Sequence, residues 1–249
     1  HTRYIGDWSS DVCSSDLTGF AFGLITMGGV GLTGLLSLPD AAALVSVLTL
    51  VNASQMLMKG WRDVAWRQFG LVMLTSLPFL LVGFALLGWL AGSRADLLRL
   101  VLGCTIIVSS FQLARKPQQL DHVSGAPSFL FFGGIAGLMG GMFSTSGPPV
   151  VYHFYRQPMP HAMVRETLVT IFAVNATLRT GLVASSGQIP STSTLTGLLA
   201  VPVVMAATHL ARRYPPPLTQ RALRQIVFVL LLLSGVALAA PAVIHLGRG

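Results

Sequence analysis

Three hydroxyl residues followed by a glycine and two prolines interrupt an apolar stretch of this chain. The run is Ser144, Thr145, Ser146, Gly147, Pro148 and Pro149. Proline suits the first turn of a helix, where its missing N–H is no loss, so the run predicts a helix break followed by a new helix. The positive dipole end of that helix, with the hydroxyls and the N–H groups of Gly147, Val150 and Val151 nearby, predicts an anion site. The alternative is a glycine-rich packing kink that binds no ligand.

Two further polar residues lie one helical turn apart in a later apolar stretch. Asn175 and Arg179 are four residues apart, so both side chains project from one face of the predicted helix. A guanidinium beside a polar break can hold a sulfo or carboxylate group through two hydrogen bonds. The alternative is that Arg179, about five residues from the end of its stretch, extends to the lipid headgroups.

The composition places these residues in a membrane. The chain has 249 residues, of which 53% are hydrophobic and 10% are charged, whereas a soluble domain is about 25% charged. Two interrupted stretches, Thr18 to Leu38 and Phe129 to Tyr155, are predicted broken helices. We therefore expect an all-α, polytopic integral membrane protein with about seven or eight transmembrane helices. Continuous stretches long enough to cross about 30 Å of hydrocarbon run from Asp40 to Met58, Phe69 to Leu90, Leu97 to Leu113, Ala162 to Ala184, Ser193 to Leu210 and Ala222 to Leu246.

The two halves of the chain resemble each other. Val51-Asn52-Ala53-Ser54 recurs as Val174-Asn175-Ala176-Thr177, and weaker matches follow in the same order. A duplication predicts repeat 1 at about 18–114, a linker at 115–128 and repeat 2 at about 129–246. Asn52 is then the counterpart of Asn175. It is either a substrate ligand or a residue that hydrogen bonds between helices, and we favour the second role.

The basic residues predict how the halves are oriented. If Phe129 to Tyr155 enters the membrane and returns to the same face, one side carries 11 Lys and Arg and the other carries 3; if it crosses, the counts are 6 and 8. The positive-inside rule favours the first arrangement, with the basic side cytoplasmic and the repeats inverted. The alternative is a broken element that crosses in two pieces. Because the bases lie in short loops, a nucleic-acid partner is not expected.

The first seventeen residues differ from the rest of the chain. His1 to Leu17 is polar, begins without Met and stops at an apolar run, and it resembles the translated constant parts of a sequencing-library adapter. We interpret 1–17 as a non-native contaminant on an N-terminally truncated chain. Residues 18–249 are then expected to form a single membrane transporter domain.

The region of the break resembles a known family. Gly133 to Val151, followed by Met159-Pro160 and the helix bearing Asn175 and Arg179, resembles the second-half signature of the TauE/SafE family of sulfite exporters and related anion permeases. Thr18 to Gly23 looks like the matching first break, although the helix that should precede it is absent. The resemblance implies an alternating-access permease of the bacterial inner membrane that exports sulfite, sulfonates or related anions. The candidate substrate contacts are then the second break, Asn175 and Arg179, with Thr18 and Gly19 of the first break and, by its place in the repeat, Asn52.

The acidic residues disfavour a cation carrier. All five acids after residue 17 lie in predicted loops or at span ends, so no carboxylate is expected mid-membrane. They are Asp40, Asp63, Asp96, Asp121 and Glu166. No metal spacing is present among the histidines, and we expect no cofactor. The expected partners are a small anion and the lipid bilayer, and a homo-oligomer is left open.

Two other functional classes compete with transport. Ser146-Gly147 with His209 faintly resembles the Ser-His dyad of an intramembrane hydrolase, but Ser144 stands where such enzymes want glycine. A purely structural subunit predicts that the two breaks lie more than about 15 Å apart. We expect a permease, not an enzyme.

Overall fold

The regular structure of the described chain is helical. The computed structural model describes residues 40–50 except 44 and 48, 63–114, 118–186 and 220–246. No strand occurs in these ranges, which confirms the all-α prediction for them. Residues 40–50 are helical wherever they are described, and we call them the 40–50 segment. The other helices are α1 (Trp66–Ser93), α2 (Ala95–Ala114), α3 (Ala126–Phe143), α4 (Gly147–Tyr155), α5 (His161–Ser185) and α6 (Gln220–Leu246).

Four of these helices are long and apolar enough to cross a membrane: α1, α2, α3 and α5. The α6 helix contains a shorter apolar portion, Phe228–Ile244. The predicted stretches Thr18 to Leu38 and Ser193 to Leu210, with the second half of Asp40 to Met58, lie outside the described residues. The chain is therefore a helical, multi-pass membrane protein, and the total of seven or eight helices stays a prediction.

Glycines bring α3 against α1 at backbone distance. Gly133, Gly137 and Gly141 recur every four residues and share one face of α3. A Cβ at any of them would collide with backbone atoms of α1, including the carbonyl oxygen of Ser76 opposite Gly137. Small residues permit such close approach between membrane helices, whose association depends on van der Waals contact rather than on the hydrophobic effect.

The α3 and α4 helices form an antiparallel hairpin. The backbone N–H of Leu120, in the chain leading to α3, donates to the carbonyl oxygen of Arg156 after α4 at 2.8 Å. The side chain of Gln157 accepts from Ser124 N at 2.8 Å and donates to Ser124 Oγ at 3.0 Å. The broken element thus begins and ends at the same end of the molecule.

Aromatic packing joins the two arms of this hairpin. His153 of α4 is buried, and its ring stacks on Phe132 of α3 with centroids 4.4 Å apart. Phe129 meets the same imidazole edge-on at 4.6 Å. These contacts lie near the start of α3 and the end of α4, so the break itself is at the opposite tip of the hairpin.

The apolar core is divided into two clusters, and the break lies between them. Met142 and Phe143, at the end of α3, pack with residues of the 40–50 segment, α1, α2 and α6. Val150 and Phe154, in α4, pack with residues of α1, α3 and α5. The non-helical residues between Phe143 and Gly147 are therefore held from both sides by packed side chains.

Candidate functional site

The predicted break is present, and its backbone is strained at one residue. The α3 helix ends at Phe143 and α4 begins at Gly147, with Pro148 and Pro149 in its first turn. Ser144 adopts φ 59° and ψ 15°, the one positive φ outside glycine in the part of the chain that the structure describes. Left-handed backbone costs a non-glycine residue about 1–2 kcal/mol, so packing and hydrogen bonds must hold Ser144 in place.

The start of α4 offers fewer N–H donors than the sequence predicted. An α-helix leaves its first N–H groups without intrahelical partners, but Pro148 and Pro149 have no N–H to offer. The N–H groups of Val150 and Val151 lie where the helix's own i to i−4 bonds take them up. Ser146 and Gly147 are therefore the backbone donors at this end, together with the dipole of α4.

Asn175 joins the break to α1. It is buried in α5, and its Nδ2 donates to Ser146 Oγ at 3.1 Å and to Ser76 Oγ at 3.0 Å. Its Oδ1 lies 3.2 Å from the same Ser76 hydroxyl. Both ends of the amide are thus engaged by protein, so Asn175 fixes the position of Ser146.

Arg179 is buried and points into the protein. Its side chain is 1% exposed, Nε donates to the carbonyl oxygen of Gly141 at 3.0 Å, and Nη1 donates to Ser46 Oγ at 3.0 Å. Its guanidinium carbon lies 5.8 Å from the centroid of the Phe84 ring. This placement excludes the alternative in which Arg179 extends to the headgroups.

No carboxylate pairs with Arg179 among the described residues. The two ion pairs there join Arg99 to Asp96 and Arg165 to Glu166. Burying a cation without an opposite charge costs several kcal/mol, even where neutral acceptors surround it. The guanidinium is therefore a strong local attraction for an anion.

Ser46 links Arg179 to the break. Its Oγ lies 2.6 Å from Ser144 Oγ and accepts the Arg179 hydrogen bond described above. Thr145, the residue between the two bonded serines of the break, is 5% exposed, and its Oγ1 has no hydrogen-bond partner among the described residues. Buried polar groups are normally paired, so Thr145 is a donor that the described protein does not use.

The cluster lies in the second half of a membrane-spanning helix. The α5 helix has 25 residues and is about 37 Å long at about 1.5 Å per residue. Asn175 is therefore about 20 Å from its start and Arg179 about 27 Å, a depth at which polar groups are costly in lipid.

The structure brings together eight of the eleven residues expected to bind substrate. Their substrate contacts remain a prediction. Thr18, Gly19 and Asn52 lie outside the described residues, as does His209 of the hydrolase alternative. The eight are Ser144, Thr145, Ser146, Gly147, Pro148, Pro149, Asn175 and Arg179.

Comparison with known proteins decides the family. The family model described as Sulfite exporter TauE/SafE matches residues 13–238. The chain belongs to the TauE/SafE family. It is 38% identical, over 227 residues covering 91% of this chain and 89% of the other, to a probable sulfite/organosulfonate exporter TauE of Cupriavidus necator. It is 31% identical, over 185 residues covering 72% and 74%, to a probable inner membrane transporter protein TsaS of Comamonas testosteroni. No solved structure matches the chain.

Membership of this family confirms the resemblance found in the sequence. This TauE/SafE protein is a membrane anion exporter and not an enzyme, because the family and both relatives are transporters. The hydrolase alternative is thereby excluded.

Two residues of the cluster were missed by the sequence analysis of this TauE/SafE protein. Ser46 and Ser76 bond directly to Arg179 and Asn175, yet both lie in the first half of the chain, away from the recognisable break. The signal available was a hydroxyl inside an apolar span, because such residues commonly hydrogen bond between membrane helices. That signal alone does not identify the residue to which each serine hydrogen bonds.

Proposed function

We propose that this chain exports a small oxyanion, such as sulfite, a sulfonate or a related organosulfur or carboxylate anion, across the bacterial inner membrane. The proposed site consists of the break at Ser144 to Ser146, the start of α4 and Arg179. The observation that carries the proposal is the buried guanidinium of Arg179, which has no carboxylate partner among the described residues. An anion supplies the missing charge.

The donors of the site are suited to replacing the hydration shell of an anion. Arg179 uses two N–H groups for Gly141 and Ser46, out of about five that a guanidinium carries. Thr145 contributes a buried hydroxyl without a described partner, and the dipole of α4 points its positive end at the break. Irregular backbone at membrane depth is tolerated where it is buried in protein or lines a water-filled cavity.

The hairpin supports the topology proposed for transport. Since α3 and α4 begin and end at the same end of the molecule, the element is proposed to enter the membrane from the cytoplasm and return there. The two halves are then inverted repeats, and alternating access turns one half against the other around the break. Thr18, Gly19 and Asn52 are proposed to complete the site from the first half.

Export of an anion needs no further energy source in this scheme. An interior-negative membrane potential drives a single negative charge outward by about 2.3 kcal/mol per 100 mV. Facilitated efflux through the proposed site is therefore sufficient to lower the cytoplasmic concentration of the solute.

The test is anion efflux from proteoliposomes that contain the full chain. Arg179→Gln removes the charge, and we expect the efflux of sulfite and methanesulfonate to fall at least about tenfold, because a hydrogen bond to a charged group is worth about 1.5–3 kcal/mol. Arg179→Lys keeps the positive charge but lacks the planar guanidinium with its paired N–H donors, and it should retain part of the activity.

The matched control is Arg99→Gln. Arg99 is exposed and pairs with Asp96 at 3.5 Å. Its replacement should leave efflux unchanged. Equal efflux by the Arg179→Gln and Arg99→Gln variants, at equal amounts of folded protein, would contradict the proposed site.

A further inference from the structure

Among the described residues of α3, α4 and α5, the one charged side chain without an opposite charge beside it is Arg179. Arg165 and Glu166 lie near the start of α5 and neutralise each other at 2.8 Å. Neither α3 nor α4 contains Asp, Glu, Lys or Arg. The sequence of the undescribed parts of the predicted apolar stretches, at 18–38, 51–58 and 193–210, contains none of these residues either.

Two hydroxyls near Arg179 are hydrogen bonded within the protein. Ser46 Oγ donates to the carbonyl oxygen of Ala42 at 2.9 Å and accepts from Arg179 Nη1 at 3.0 Å. Ser144 Oγ lies 2.6 Å from Ser46 Oγ, and either hydroxyl can donate in this bond. This serine pair therefore positions Arg179 beside the break.

The other two hydroxyls of the break remain donors. Ser146 Oγ accepts from Asn175 Nδ2 at 3.1 Å and donates to no described residue. Thr145 Oγ1, as described, is buried without a partner there. Since no described residue accepts the hydroxyl hydrogens of Thr145 and Ser146, we assign them, together with the N–H groups of Ser146 and Gly147, as the donors for an anion.

This donor set matches one negative charge. A monoanion beside Arg179 makes a neutral buried pair, whereas a dianion leaves one uncompensated negative charge out of water, which is strongly unfavourable. The two prolines of α4 remove N–H donors that would otherwise offset a second charge. We infer that the site selects tetrahedral oxyanion heads with a single negative charge, sulfonate or hydrogensulfite, and rejects doubly charged sulfate of nearly the same shape. This inference rests on the proposed function.

The experiment compares methanesulfonate with sulfate in proteoliposomes holding the full chain. The two anions have similar size and differ in charge, and the membrane potential is clamped at zero so that it does not favour either. We expect methanesulfonate to move at least about tenfold faster. Equal rates, or faster sulfate, would overturn the inference while leaving anion export intact. Movement of neither anion, with sulfite also immobile, would instead contradict the proposed function.

A pair of serine variants tests the assignment of the donors. Ser146→Ala removes a hydroxyl with a free hydrogen, and we expect the KM for methanesulfonate to rise about tenfold, the effect of losing one good hydrogen bond to an anion. Ser110→Ala is the control, because Ser110 is equally buried but donates to Ile107 O in α2. An unchanged KM in both variants, with both folded, would show that Ser146 does not contact the anion.

Discussion

At the residue scale, Arg179 and Asn175 hold opposite sides of the break. Arg179 connects to Ser144 through Ser46, and Asn175 bonds directly to Ser146. Because the amide of Asn175 is engaged at both ends, we propose that Asn175 positions Ser146 and that the substrate is contacted by Arg179, Thr145 and Ser146. The strained φ of Ser144 is consistent with a residue held by these partners.

Ser46→Ala tests how strongly Arg179 depends on its neighbour. The change removes the acceptor of the Arg179 Nη1 bond and the partner of Ser144. We expect the KM for methanesulfonate to rise about tenfold, since hydrogen bonds to charged groups are worth about 1.5–3 kcal/mol. Transport kinetics in proteoliposomes measure this change. Ser109→Ala is the control, because Ser109 makes the same kind of i−4 bond, to Thr105 O, but hydrogen bonds to no arginine in the described part of the chain. The same KM in both variants would contradict a positioning role for Ser46.

At the scale of elements, glycine contacts set how near the hairpin stands to α1. The pairing of Gly137 with the backbone of Ser76 brings the Ser76 hydroxyl to Asn175 on α5. A larger residue on this face of α3 would push the hairpin away and separate the break from its hydrogen-bond partners. The packing of α3 on α1 therefore also determines the geometry of the polar cluster.

Gly137→Ala tests the close contact. A Cβ there would overlap the backbone of Ser76, and since backbone cannot move aside easily, we expect a loss of about 1–3 kcal/mol in stability. Gly181→Ala is the matched control, because no atom of the described residues lies within 4 Å of its added Cβ, and alanine in a helix should stabilise by about 0.5–1 kcal/mol. The measurement is thermal unfolding of detergent-purified protein. If Gly137→Ala were as stable as Gly181→Ala, the described packing of α3 on α1 would be wrong.

At the scale of the whole molecule, the hairpin supports the orientation that we propose for the two halves in the membrane. Its ends are joined by bonds between Leu120 and Arg156 and between Ser124 and Gln157. An element that returns to its own side leaves an odd number of crossings between the repeated Asn52 and Asn175, which is what inverted repeats require. In this proposed arrangement the basic loops share the cytoplasmic side.

Thiol labelling tests this topology. In a background of Cys13→Ala and Cys104→Ala, we expect single cysteines at the exposed positions Gln119 and Pro158 to react with an impermeant maleimide from the cytoplasmic side. Ser186→Cys, at the far end of α5, should react from the other side and serves as the reference. Labelling of Gln119→Cys and Pro158→Cys from opposite sides would contradict the return of the hairpin.

Local patterns in the sequence were enough for the membrane class, the bounds of several spans and the position of the break. Helix length follows from the length of an apolar run, and prolines mark a break wherever the chain lies, so α1, α2 and α5 begin and end within a few residues of their predicted bounds. The same local signature was enough to recognise the family.

Only the tertiary structure decided which polar groups meet. Arg179 and Ser46 are 133 residues apart in the chain, and Asn175 and Ser76 are 99 apart. Their contacts depend on the distance and rotation at which the helices pack. Glycines on one helix, packed against the backbone of another, determine both quantities. The periodicity of a single helix does not contain that information. A buried serine can donate to a backbone carbonyl of its own helix whether or not a neighbouring helix provides a second partner.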